Sequence, residues 1–358
     1  MRVLLAVGSL PPDRCGVGTY TADLARELAQ APDFSVAVLS AAEGDERDGF
    51  EVLRPRRGWA LRGAWSILTQ VRRWRPDVAH FQYPAHGYGP HPLPWILPTF
   101  LRLMGIRIAI TWHEYQHRLH LIDLPNTLLP GGLVAVRPSF LEQMPPLFRR
   151  LVRRKKFRMI ANAASIPALE LSSAHRAEVR RRFGPEDARL LAYFGFVYDH
   201  KGVEDLFAIA DPTTDVLILV AELRDDDEYH RRISQLASSS AWAGRCFVTG
   251  FLPADEVAEV LAAADAVVLP FRMGGGMWNT SLAAAAAQGT FVLTTSTDGP
   301  GYDPERNVQY TVPGDLEEMR RALRNHSGKR VPANDELRRA EWRRIVEDHA
   351  SLYQELLA

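Results

Sequence analysis

The chain is expected to fold as α/β, in two parallel-sheet domains, and three observations carry that reading. Short apolar runs of the kind buried on both faces of a parallel sheet recur along the chain, each followed by a turn and a helical pattern. This alternation fills the first half, breaks between Ile166 and Asp187, and then begins again. At 358 residues the chain exceeds one ordinary core and suits two domains of about 150–180 residues each.

The first half reads in order as follows. Arg2 to Val7 is a strand, and Pro11 to Gly18 is a turn that delivers the chain into a helix from Thr19 to Gln30, with Tyr20, Leu24 and Leu28 on one face. Phe34 to Leu39 gives the next strand and Trp59 to Trp74 an amphipathic helix. Asp77 to Gln82 is a strand, Leu93 to Met104 a helix, and Arg107 to Thr111 a strand that opens into the loop Trp112-His113-Glu114-Tyr115. The dense basic run Phe148 to Arg158 reads as a solvated helix face, or as a weak peripheral contact with anionic lipid through Arg149 to Arg158. Ala161 to Pro167 is a strand end and connector, and Gly184-Pro185 breaks a polar helix over Arg176 to Phe183.

The second half has strands at Leu190 to Phe196, Val216 to Ala221, Cys246 to Thr249, Ala266 to Leu269, Thr290 to Thr294 and Asn307 to Thr311. Helices fall between them at Lys201 to Ala210, Asp226 to Ser238, Ala254 to Ala264 and along the alanine run before Gly289. Ala333 to Leu357 is a long helix with Leu337, Trp342, Ile345, Leu352 and Leu356 at helical spacing. The expected domains are 1–170 and 186–332, with 333–358 packing back toward the first.

Composition narrows the function. Lys plus Arg and Asp plus Glu both number 43, so no global charge draws the chain to nucleic acid. Two cysteines, Cys15 and Cys246, fall in different expected domains, which fits a reducing, cytoplasmic setting without disulfides. The opening MRVLLAVGSL reads as a strand and loop rather than a secretory signal. Leu93 to Met104 is apolar, but it is too short to span a bilayer and carries prolines and Arg102.

The chemistry is expected beyond the carboxyl ends of the strands, where open parallel sheets bind ligands. Gly274, Gly275 and Gly276 lead into a helix whose N-cap is Asn279, Thr280 or Ser281. Backbone N–H groups converging at a helix start make a seat for a phosphate or diphosphate, although a buried crossover with turn-forming glycines reads equally well. Gly16 and Gly18 are a weak signal that also suits a plain turn. Lys201, before Gly202, is either solvated surface or a point charge for a diphosphate. His113 either orients a substrate or pairs locally with Glu114, and His80 reads as a satisfied core histidine. His86, His91, His117 and His120 show no metal-site spacing.

Taken together these residues resemble the retaining GT-B glycosyltransferases of the family-4 type. GVGTYTADLARELA is similar to that family's N-terminal glycine loop and helix, and PDVAHFQYP and TWHEY to its first-domain strand and histidine loop. YFGFVYDHKGVEDLFAIA and VTGFLPADEVAEVLAAADAVVLPF, followed by AAQGTFVLTT, resemble its donor-domain segments. The resemblance implies two Rossmann-like domains facing across a cleft, a C-terminal helix crossing back, and a nucleotide-diphosphate sugar donor with no metal or other cofactor. It assigns His113 to the donor sugar near the reacting carbon. It gives Lys201, Gly16, Gly18, Asn279, Thr280 and Ser281 to the donor, mainly its diphosphate, beside the glycine turn of Gly275 and Gly276 read above as part of the same seat. His86, Tyr88, Trp112, Tyr115 and His117 fall where the family binds its acceptor, here a sugar or small polar natural product.

The departures are as informative. The family's paired glutamates fall at Gly276 and Ala284, and its diphosphate arginine at Phe196. Arg272 is the nearby candidate for the missing charge. The expected activity is hexosyl transfer with retention. The alternatives are a catalytically degenerate member that binds a nucleotide or a partner subunit, a pseudo-glycosyltransferase using a cyclitol-like unit, and an epimerase of the same fold.

Overall fold

A computed structural model describes residues 1–42, 49–84, 86–114, 126, 129, 131–153, 155–185 and 187–358, with His86 and Ser139 described by backbone alone. The chain divides into two compact units, Met1–Asn162 with Glu341–Ala358, and Ala163–Ala340.

The first unit runs β1 (Arg2–Ala6), α1 (Gly16–Gln30), β2 (Ser35–Leu39), β3 (Glu51–Leu53), α2 (Ala64–Trp74), β4 (Val78–Tyr83), α3 (Leu93–Leu103), β5 (Arg107–Trp112), β6 (Gly132–Ala135), α4 (Pro146–Val152) and β7 (Lys156–Met159). The strands form one sheet in the order β3-β2-β1-β4-β5-β6-β7, parallel throughout. Val3, Leu4, Leu5 and Ala6 have no exposed surface. Burying each leucine is worth about 1.5–3 kcal/mol, which is why this apolar run takes the middle of the sheet.

Helix α1 starts at Gly16, one turn earlier than expected, so both glycines lie inside its first turn. Gly18 is needed for packing: a Cβ there would meet the Ser9 carbonyl oxygen at 2.6 Å. The basic run is likewise not one helix face. It splits between α4 and the edge strand β7, and Lys155 turns inward to donate to the Asn126 and Leu129 carbonyls.

The second unit runs α5 (Ser173–Arg181), β8 (Arg189–Phe194), α6 (Val203–Ile209), β9 (Asp215–Val220), α7 (Glu228–Ala237), β10 (Cys246–Val248), α8 (Ala254–Ala263), β11 (Ala266–Leu269), α9 (Thr280–Ala287), β12 (Val292–Thr295), β13 (Gly301–Asp303), β14 (Val308–Thr311) and α10 (Leu316–His326), followed by α11 (Asp335–Leu357). Its sheet order is β10-β9-β8-β11-β12-β14-β13, parallel except for the β13–β14 pair. Along α9, Leu282, Ala284 and Ala285 have no exposed surface, and the small side chains let the helix lie close against the core. Gly289 follows its end with φ 69°, a left-handed turn that glycine adopts without strain.

Both units therefore have the Rossmann order, in which the strand sequence reverses direction between the first and fourth strands. That reversal opens a crevice between β1 and β4 in one unit and between β8 and β11 in the other.

Most of α11, from Glu341 onward, belongs with the C-terminal Ala358 to the first unit. Trp342 stacks on Tyr20 with ring centroids 5.7 Å apart, and the Tyr353 hydroxyl lies 2.7 Å from His80 Nδ1. His80 Nε2 lies 2.7 Å from the Thr111 hydroxyl, so both its ring nitrogens have partners. Cys15 and Cys246 are free thiols. Among the described residues no helix is long and apolar enough to cross a membrane.

Candidate functional site

The second unit gathers most of the sequence-predicted residues at the β8/β11 crevice. Beyond β8 the chain passes through Gly195 to a turn at Asp199–Lys201, and beyond β11 it runs from Pro270 to Asn279. The two loops are docked on each other. Gly202 has φ 64° and sits so close to the Pro270 carbonyl that no side chain fits there. The Arg272 N–H donates to the His200 carbonyl at 3.0 Å. This docking places the Lys201 ammonium 4.5 Å from the centroid of the Phe271 ring. The same ring fills the space of a side chain at Gly275, whose Cβ would stand 2.8 Å from Phe271 Cε2. Lys201 and the glycine turn thus share one aromatic floor, a role for Phe271 that the sequence did not suggest.

The helix start is open. Asn279 is the N-cap of α9, but its side chain does not cap the helix. It turns back and accepts from the Gly276 N–H at 3.0 Å. The intrahelical ladder begins with the Ala283 N–H donating to the Asn279 carbonyl at 3.0 Å, so the N–H groups of Thr280, Ser281 and Leu282 precede it. These three groups carry the partial positive charge of the helix end. Gly195 lies beside them, where a Cβ would be in van der Waals contact with Ser281 at 3.7 Å and where φ is 136°, a backbone that favours glycine.

Two expectations change here. Gly275 and Gly276 do not offer their N–H groups, because Thr295 O takes the first at 2.8 Å and Asn279 Oδ1 takes the second. Arg272 does not stand in for the missing arginine with an uncompensated charge: its guanidinium is paired with Glu204 and lies 3.7 Å from the Asp199 carboxylate. Glu204 also accepts from the Tyr229 hydroxyl, and that hydroxyl accepts from the Val203 N–H at 2.9 Å. Burial opposes the charge on Glu204, but the Tyr229 and Arg272 contacts outweigh it and hold the carboxyl below its ordinary range. Phe196, at the position of the family arginine, is exposed beside Tyr198.

The first unit holds the remaining candidates. Gly16 is exposed at the start of α1, whose N-cap Cys15 makes no side-chain cap. His113 is 7% exposed, with Nε2 2.9 Å from Gln82 Oε1 and its ring edge-on to Tyr20 at 5.1 Å. Burial, with Arg137 and His349 nearby, lowers its pKa to about 3, so it is neutral. Glu114 pairs with Arg137 at 3.1 Å rather than with His113. Of the acceptor candidates, Tyr88 is buried with its hydroxyl donated to the Ala6 carbonyl at 2.8 Å, which gives it a structural role. Trp112 is half-buried among Tyr83 and Trp95. Tyr115, His117 and the His86 side chain lie outside the described residues. Among the described residues no three His, Cys, Asp or Glu side chains gather as a metal site.

Comparison with known proteins agrees with this architecture. Residues 15–191 match the family described as Glycosyltransferase Family 4, and residues 188–327 match Glycosyl transferases group 1. No curated protein sequence matches the chain. Sucrose-phosphate synthase from Thermosynechococcus elongatus has a similar structure, with TM-score 0.75 and 17% identity over 99% of each chain. HepE of Anabaena, solved with UDP and glucose, gives TM-score 0.74 and 14% identity over 99% of this chain and 100% of that one. The catalytic domain of starch synthase IV from Arabidopsis thaliana, solved with ADP and acarbose, gives 0.68 and 14% over 99% of each. At these identities the likeness is one of fold.

Proposed function

We infer that this chain, a glycosyltransferase built from two Rossmann-like domains, moves a hexosyl unit from a nucleotide-diphosphate sugar to a hydroxyl of a sugar or natural-product acceptor, with retention at the anomeric carbon. The observation that carries the reading is the uncapped start of α9, beside Gly195 and close to the Lys201–Phe271 pair. A diphosphate leaving group is an anion whose charge grows as the bond to the anomeric carbon breaks. Three N–H groups aimed at one spot, with an ammonium nearby, favour that charge without reorganising when it forms. The bonding pair goes to the diphosphate oxygen, and the acceptor oxygen joins the same face of the sugar. No metal ion or cofactor takes part. Structural relatives solved with UDP, glucose and ADP support the choice of donor class.

One observation favours a second reading, in which the protein binds a nucleotide without turning it over. Arg272 is neutralised by Glu204 and Asp199, and Phe196 supplies no charge, so Lys201 is the cation the sequence resemblance leaves for the diphosphate. Calorimetry with UDP-, GDP- and ADP-sugars, followed by detection of released nucleotide across an acceptor panel, separates the two. Transfer or donor hydrolysis with one nucleotide class is the expected result. Saturable binding with no released nucleotide supports the second reading, and no binding of any class rejects both.

A further inference from the structure

We propose that Trp278 is the platform on which the donor's sugar rests, receiving the apolar C–H face of a hexose; this rests on the donor site described above. The indole lies directly on the glycine turn: a Cβ at Gly276 would stand only 2.0 Å from Trp278 Cζ3, against the benzo ring. Gly276 is therefore required to be flat, and any side chain there would expel the ring. Trp278 is half-buried, and among the described residues no aromatic ring packs on it. Its neighbour Met277 packs against the core, so the two side chains take different roles, one filling the interior and one covering the turn. The indole belongs to the residue immediately before Asn279, the N-cap whose helix start seats the diphosphate in this account. A sugar joined to that diphosphate by one oxygen has to lie within a few ångströms of it.

The composition of the segment says how such a sugar is read. From Phe271 to Gln288 there is no Asp or Glu, so no carboxylate of this segment can fix a sugar hydroxyl. What it offers is an indole face and the short polar side chains of Asn279, Thr280 and Ser281. A hexose has a ring face made largely of C–H groups, which packs on an aromatic face through lost apolar area and the ring's negative quadrupole. Aromatic walls with few polar groups are the usual composition of small-molecule sites. Recognition here is thus by shape and the apolar face, and a donor sugar with a deoxygenated or unhindered face suits it best.

The test compares the affinity of a sugar nucleotide with that of its bare diphosphate. Calorimetry is run with UDP-glucose and UDP, ADP-glucose and ADP, and GDP-mannose and GDP on the wild type, Trp278→Ala and Trp278→Phe, with melting curves as a fold control. For the pair the wild type prefers, Trp278→Ala is expected to weaken the sugar nucleotide by about three- to tenfold while leaving the diphosphate unchanged. Trp278→Phe should recover most of the loss. Equal losses for both ligands, no loss for either, or no wild-type preference for a sugar nucleotide would overturn the platform while leaving the diphosphate seat intact. Failure of the wild type to bind any of the six ligands would remove the donor site itself.

Discussion

Lys201→Ala is expected to slow turnover by on the order of a hundred- to a thousandfold while the protein keeps its fold. The size follows from what the ammonium does in the proposed reaction. It is a cation held at the β8/β11 crevice, fixed over Phe271 by the docking of two loops. Removing it leaves the departing diphosphate to the helix start alone. The fold should survive because Lys201 sits in a half-buried turn rather than in the core. Its stacking on Phe271 is worth about 0.5–1 kcal/mol, small beside a domain's stability. Lys201→Arg should restore charge but not geometry, since a planar fork does not replace a compact ammonium. Rates like the wild type's in Lys201→Ala, measured as donor hydrolysis or transfer, would take this lysine out of the mechanism.

The second large effect is on stability in acid. His80, His113 and His349 are all buried in the first unit. Burial lowers all three pKa values, to about 3 for His113 and about 4 for His349, and well below the ordinary value for His80. The groups facing them add to or temper this. His349 and His113 act on His80, Arg137 and His349 act on His113, while the Ile345 carbonyl and Asp348 partly offset the burial of His349. In the unfolded chain each takes a proton near pH 6.5. Between that pH and about 4 the unfolded state holds more protons, so stability is greatest above the window and is lost as pH falls through it. At pH 5 His113 and His349 each contribute a loss of about 2 kcal/mol, and His80 acts in the same direction, against about 5–15 for a whole domain. Urea denaturation at pH 7 and pH 5 should therefore show a large drop in midpoint for the first unit, partly relieved in His349→Phe. Superimposable curves would mean that these rings are solvated.

Much of the architecture was legible because apolar period and turn residues agree. The run at Val3 to Ala6 reads as a doubly buried strand, and the alanines before Gly289 read as a helix held close to something flat. The missed elements are those whose signals are masked by charge or brevity. Strand β7 alternates Lys156, Phe157, Arg158 and Met159 inside a basic run, so its period of two was hidden by its charge. Helix α10 is short and charged on its outer face, yet Leu316, Met319, Ala322 and Leu323 recur at helical spacing and the Asp315 side chain caps it by accepting from the Glu318 N–H at 2.9 Å. In the site, the sequence located the helix start and Lys201 but not what surrounds them. That Arg272 is claimed by Glu204, a residue 68 positions away, is a fact of folding that no local pattern contains. The indole of Trp278 over Gly276 is similar: the glycine is visible in the sequence, the ring it accommodates is not.

A crystal structure of the protein soaked with its preferred sugar nucleotide tests the central claim most directly. The diphosphate should sit on the N–H groups of Thr280, Ser281 and Leu282, within reach of the Lys201 ammonium. A bound nucleotide elsewhere, or an empty crevice with Lys201 turned to solvent, would contradict it.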